Sequence, residues 1–235
     1  MHKSNMSSDL AKLEAKIKMK FKDITLLQNV FIHRSYLNEH KELKLASNEK
    51  LEFLGDSVLS LITSAYLFKH YSGLDEGIST DIKSSIVRTE SLAQAARDLI
   101  LGEFLFLSKG EERGGGKSNT HILADCFEAL IAAIFLDRGF DKAYVFVKVY
   151  LFQDRLAAII ENNLYESPKS KLQELMQRTH KKIPVYKVLK EEGPEHKRTF
   201  TVGVFFESKK LGVASGRSKK EAEELAARQA LTSMI

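Results

Sequence analysis

Between about Leu10 and Ile160 the apolar residues recur at helical spacing, with almost no period-two alternation. The segments DITLLQNVFIHRSYL (23–37), EKLEFLGDSVLSLITSAYLFKHY (49–71), RTESLAQAARDLI (88–100), THILADCFEALIAAIFLDRG (120–139) and FDKAYVFVKVYLFQDRLAAIIENN (140–163) each predict a helix. The polar and Gly-bearing stretches SGLDEGIST and KGEERGGGKSN read as links, the second as a mobile loop. Beyond a linker around 161–167 the pattern changes. PKSKLQELMQRTH is helical, while PVYKVLKEE, RTFTVGVFFE and KLGVASG alternate and are rich in Val, Phe, Tyr and Thr, as strands are. RSKKEAEELAARQALTSM predicts a last helix with Ser218 as its N-cap. The expected architecture is an all-α domain over 1–160, a linker over 161–167, and a small α-β-β-β-α domain over 168–235.

Two helices carry acids that change this bland picture. At about 100° per residue, Glu49, Glu52 and Asp56 fall within about 60° of one another. Leu51, Leu54, Val58, Leu61 and Ile62 lie roughly opposite, so a core face and a wet acidic face would explain this helix alone. Phe53 is the exception: it points away from the apolar stripe, beside the acids, and is either an exposed accident or a contact with another chain. The helix HILADCFEALIAAIFLD is apolar on almost every side and should be buried, yet it holds Asp125 and Glu128 on one side. Ala129 and Ala132 on neighbouring faces would let a second helix approach. Buried carboxylates cost several kcal/mol, on the order of a lost ion pair, unless something positive meets them. A hard divalent cation such as Mg²⁺ is the economical partner. A structural ion-pair cluster is the competing explanation.

The chain has 235 residues, with 36 Lys and Arg against 31 Asp and Glu, a formal charge of +5. The excess is not spread evenly: residues 166–235 hold 15 basic and 9 acidic side chains, leaving 21 against 22 for the rest. The small domain is the expected holder of a polyanion. Cys126 is the one cysteine, which excludes an intrachain disulfide and a thiolate zinc site. The N-terminus lacks the apolar run of a secretion signal, and no apolar run approaches membrane-spanning length, so a soluble cytoplasmic protein without membrane attachment is expected. GEERGGGKS fails as a phosphate-binding loop, because Glu111 stands where the first Gly is needed. His33 and His121 read as helix-surface residues or as neighbours of ligands rather than ligands.

NEKLEFLGDSVLS (48–60) resembles the signature segment of the ribonuclease III family, enzymes that cut double-stranded RNA. HRSYLNE, LDEG and ILADCFEALIAAIFLD resemble the family's other blocks, in the same order, and the C-terminal segment resembles its double-stranded-RNA-binding domain. The resemblance covers nearly all of the chain beyond the first ten residues. It implies that Glu52, Asp56, Asp125 and Glu128 are the catalytic, metal-binding carboxylates. Glu49 and Glu76 would be further acids of the catalytic valley on the RNA side, and Phe53 the aromatic that enters a socket on the partner subunit. It implies Mg²⁺, with Mn²⁺ able to substitute, a homodimer, and products with 5′-phosphate and 3′-hydroxyl ends and two-nucleotide 3′ overhangs, from rRNA precursors and some mRNAs. In the small domain it implies RNA contacts by Gln173, Glu174, His196, Lys219 and Lys220. KSNTHILAD departs from the family where many members have an Arg-Glu pair, which bears on the loop contacts of Lys117 to His121 and not on the acids. The rival from another class is a protein that binds double-stranded RNA without cutting it.

Overall fold

The structure, a computed structural model, describes residues 3–43, 45–194 and 197–234, with the side chains of 3–9 and Asp154 excepted. It falls into two compact units, Met1–Tyr165 and Glu166–Ile235.

The first unit is helical: α1 (Lys3–Lys16), α2 (Ile24–Val30), α3 (Arg34–Glu39), α4 (Glu49–His70), α5 (Glu76–Ile86), α6 (Thr89–Asp98), α7 (Lys109–Arg113), α8 (Thr120–Arg138), α9 (Phe140–Val147) and α10 (Gln153–Glu161). α8 is the axle. Ile122, Leu123, Phe127, Leu130, Ile131 and Ile134 bury nearly all of its sides, and α2, α4, α6 and α9 pack around it. The Asn119 side chain caps its start by accepting the His121 and Ile122 N–H groups. α4 buries Leu51, Val58, Leu59, Ile62 and Leu67. Leu61, predicted on that core face, is 58% exposed. The core face is centred nearer Gly55 and Ile62, which puts Leu61 past its edge. On length and composition α4 would also suffice to cross a membrane, contrary to the expectation for this sequence. Its first turn carries Glu49 and Glu52, and its apolar face is covered by α8.

Two helix expectations and two link expectations are corrected by the structure. Residues 23–37 do not form one helix. Ile32 is drawn into a parallel bridge with Phe106, and His33 turns extended (φ −77°, ψ 148°), its side chain capping α3. Residues 140–163 are interrupted by a π-turn, Lys148–Phe152, which turns both Leu151 and Phe152 inward. The links contain structure: α5 begins at Glu76, with the Asp75 carboxylate accepting the Ile78 N–H at 2.8 Å, and the supposed mobile loop holds α7 and a 3-10 turn at Gly116–Ser118.

The second unit runs α11 (Pro168–His180), β1 (Val185–Glu192), β2 (Thr199–Phe206), β3 (Lys209–Gly216) and α12 (Lys219–Thr232). The strands form an antiparallel sheet in the order β1-β2-β3. Leu172 and Met176 of α11, Val204 of β2, and Ala226, Ala227 and Ala230 of α12 make its core. The alanine face of α12 lies so close to β3 that a Cβ at Gly212 would sit 2.5 Å from the Ala226 carbonyl oxygen. Ser167 caps α11, and Ser218 caps α12 as its sequence predicts, accepting the Glu221 N–H at 3.1 Å.

Candidate metal centre and nucleic-acid interface

α4 and α8 touch at Gly55. A Cβ there would lie 2.0 Å from the Glu128 carbonyl oxygen, so any side chain would force the helices apart. This approach, and not the small size of Ala129 or Ala132 alone, brings the acids of two helices together. Carboxylate oxygens of Glu52, Asp125 and Glu128 all lie within 4.8 Å of one another. Asp56 is exposed and outside this close group, but after burial it is the largest influence on Glu128.

Burial and the neighbouring Asp56, Asp125 and Glu52 push the Glu128 carboxyl up to about 8. Glu52 is raised by burial and then by Asp125, Glu49 and Asp56. Asp125 is raised by burial, partly offset by His121, His33 and Arg34. No Lys or Arg among the described residues pairs with Glu128. The close group offers only hard oxygen donors, which fits Mg²⁺ or Mn²⁺ better than a thiophilic ion.

The other expected acids stand apart. Glu49 is exposed, 3.5 Å from Arg34, and accepts the Ser47 hydroxyl at 2.7 Å. Glu76 does not reach the group within one chain. It lines a groove of ≈570 Å³ with Ser64, Phe68 and Tyr71 at the far end of α4, about 24 Å along the helix from Glu52 at about 1.5 Å per residue. His33 and His121 act on Asp125 from outside the close group; burial depresses His33, whose Nδ1 lies 2.8 Å from the Ser35 hydroxyl. Glu111 is an acid that the sequence does not single out as a functional residue. It is the foremost charge acting on His33, and its one sequence signal is the capping spacing Ser108-x-x-Glu111, which the structure uses at 3.1 Å. Phe53 is 77% exposed, off the core face as expected.

In the second unit Gln173 and Glu174 are exposed on α11, which buries Leu172 and Met176. Lys219 and Lys220 are exposed in the first turn of α12, where the helix dipole adds to their charge. Lys219 Nζ lies 3.2 Å from Glu191 and 5.5 Å from the centre of the Phe200 ring. Arg198, not singled out in the sequence, lies 3.8 Å from the other Glu191 oxygen. His196 lies outside the described residues.

Comparison with known proteins places both units. A family model described as ribonuclease-III-like matches residues 23–155, and one for the double-stranded RNA binding motif matches 168–234. A ribonuclease 3 of Chloroflexus aurantiacus is 45% identical over 96% of this chain and 92% of its own length. One of Bacillus licheniformis is 42% identical over 95% and 89%. Among solved structures, the nuclease domain of ribonuclease III from Campylobacter jejuni matches with a TM-score of 0.56 and 37% identity, covering 61% of this chain and 96% of that domain. With both units matched in order, and relatives similar along nearly the whole length, the chain belongs to the ribonuclease III family of endoribonucleases acting on double-stranded RNA.

Proposed function

We propose that Glu52, Asp56, Asp125 and Glu128 hold Mg²⁺, or Mn²⁺ in its place, and that the chain hydrolyses phosphodiester bonds of double-stranded RNA there. The observation that carries this is the convergence of Glu52, Asp125 and Glu128 oxygens within 4.8 Å of one another, where burial and like charge push Glu128 up to about 8 and no cationic side chain among the described residues pairs with it. Divalent cations bound there would neutralise charge on the reacting phosphoryl group, activate water and, as a pair, stabilise the entering and leaving oxygens. The protein's part is to hold the carboxylates in register through Gly55 and the rigid α8, and to keep Glu128 half out of water. The 5′-phosphate and 3′-hydroxyl ends, the two-nucleotide overhangs, the rRNA and mRNA substrates and the cytoplasmic setting belong to this reading through the family.

A homodimer completes it. Phe53, Leu61 and Phe68 are 77%, 58% and 87% exposed and share one stripe of α4, with Ser57 and Ser64 between them. Phe53 and Phe68 lie almost equally far on either side of Leu61. A two-fold axis there sets two α4 helices antiparallel and directs Phe53 to the groove beside Phe68 of the partner subunit. Glu76 of the partner subunit, on that groove, then comes to the acid end of α4. Incubation of labelled duplex RNA with Mg²⁺, and with chelator, is the test. Cleavage only with metal is expected; binding without cleavage in both would favour a protein that merely holds the duplex.

A further inference from the structure

Asn48 occupies the N-cap of α4, a position that favours Asn, Ser and Asp because their side chains accept a first-turn N–H. Its side chain makes no such bond. It is 3% exposed and donates instead from Nδ2 to the Val30 carbonyl at 3.1 Å. That carbonyl ends α2, where helical acceptors lack partners of their own. The Asn48 N–H donates to the Ile32 carbonyl at 2.9 Å, and its own carbonyl accepts the Glu52 N–H at 2.8 Å.

One residue therefore ties the acid-bearing first turn of α4 to the 30–32 segment. From that segment further bonds run outward to charged groups. The Phe31 carbonyl accepts the Phe106 N–H at 2.8 Å, and the Phe106 carbonyl accepts the His33 N–H at 3.2 Å. The Ser35 hydroxyl accepts the Ser108 N–H at 3.0 Å, and the Ser108 hydroxyl accepts the Glu111 N–H at 3.1 Å. His33, Arg34 and Glu111 thus sit on one bonded arm, and Asn48 hangs that arm on α4.

We propose that Asn48 is a positioning residue: a strut that sets Glu52 in register with the His33, Arg34 and Glu111 arm and thereby sets how tightly the acids hold a divalent cation. This rests on the metal reading of the site. Asn48→Ser and Asn48→Ala separate a strut from a cap. Ser caps nearly as well as Asn, but its hydroxyl is too short to reach Val30. Binding of Mn²⁺ to the full chain is read from loss of the free-ion paramagnetic resonance signal, alongside thermal melts, duplex binding in chelator and a Mg²⁺ series of cleavage. The expected result is cooperative melting and parental duplex binding in both variants, with Mn²⁺ affinity weakened alike by about tenfold or more. The Mg²⁺ needed for half-maximal cleavage should rise by the same factor. Parental Mn²⁺ affinity in Asn48→Ser would show that the bond to Val30 does not set the acids, and loss of cooperative folding in either variant would make Asn48 a residue of the fold; each overturns the proposal. A parent that binds no Mn²⁺ and cuts without metal would instead overturn the metal reading itself.

Discussion

On α12, Lys219 has Glu191 within 3.2 Å; on α8, Glu128 has acids for neighbours and no paired cation among the described residues. Ion pairs occur in both units, Arg34 with Glu49 and Lys117 with Glu112 in the N-terminal one, so the contrast is one of these two sites. Lys169 pairs with Glu223, Lys171 with Glu166, Lys182 with Glu207 and Lys190 with Glu192 in the C-terminal unit. Such exposed pairs are worth about 0–1 kcal/mol each, so they hold the cations loosely and give them up to a phosphate at little cost. In the N-terminal unit burial and like charge act in the same direction on Glu52 and Glu128, and a cation from outside would relieve both. Glu166, Glu191, Glu192, Glu207 and Glu223 of the binding unit have cations beside them before RNA arrives; Glu128 of the catalytic unit has none among the described residues.

The sharpest way to break this comparison is Glu128→Gln, which keeps size and removes the charge. Cleavage in millimolar Mg²⁺ should nearly stop, a loss on the order of 10³-fold, about 4 kcal/mol of transition-state stabilisation, while duplex binding persists. Near-normal turnover at saturating RNA would remove Glu128 from the site. The metal-free protein offers a second readout. Because Glu128 is raised from 4.5 to about 8, the folded state binds more protons than the unfolded one between those values. Stability from this group is full below the lower value and lost as pH rises through the upper one. The metal-free parent should therefore melt lower at pH 9 than at pH 6, and the variant should lose part of that difference.

Gly55→Ala tests whether the crowding of acids depends on the helix approach. The new Cβ would stand 2.0 Å from backbone, which cannot rotate away, so α4 and α8 must separate. Overpacking of this kind costs about 1–3 kcal/mol, sometimes more. A shift of about 1 Å at the carboxylates is enough for a loss of about 10²-fold in rate. A folded variant cutting at the parental rate would show that the acids converge for another reason.

What the sequence disclosed follows the same division. Asp125 and Glu128 stood out because they interrupt an apolar helix, and the strands and Ser218 cap of the C-terminal unit are local signals that the structure repeats. Gly55 was passed over, since close approach is a property of two helices 73 residues apart in the chain (Gly55 to Glu128). His33 was read into a helix because periodicity cannot see the Ile32–Phe106 bridge. Glu111 was hidden inside a glycine-rich stretch judged only as a failed phosphate loop. A helical wheel centred away from Gly55 and Ile62 puts Leu61 in the core, whereas its exposure extends the Phe53 and Phe68 stripe.

Phe53→Ala addresses that stripe. Burial in a partner subunit would contribute about 1.5–3 kcal/mol per copy, and a two-fold dimer has two copies. Losing both should weaken the dimer by about 10²- to 10⁴-fold and leave α4 helical, since Ala favours helix. Sedimentation at micromolar concentration reads the association, and coordinated cutting of both strands should fall with it. A dimer as tight as the parent, with an unchanged helical spectrum, would take Phe53 out of the interface.

The smallest effects are expected in the C-terminal unit, where each exposed cation contributes one contact among several. Lys219→Ala and Lys220→Ala should each remove about one phosphate contact, lowering the slope of log affinity against log salt by about 0.7–0.9 and leaving turnover at saturating RNA unchanged. The two should differ. Lys219 shields Glu191, so its loss leaves that carboxylate with Arg198, at 3.8 Å, as its remaining cation. An under-shielded negative charge then faces the incoming phosphates. Lys220 makes no ion pair among the described residues, and its loss exposes no acid. Lys219→Ala should therefore weaken duplex binding more than Lys220→Ala, and Glu191→Gln added to Lys219→Ala should recover part of the loss. Fluorescence anisotropy of a labelled duplex across a salt series measures all three. Equal losses in the single variants, with no recovery in the double, would show that Glu191 is a bystander and that the lysines act as independent charges.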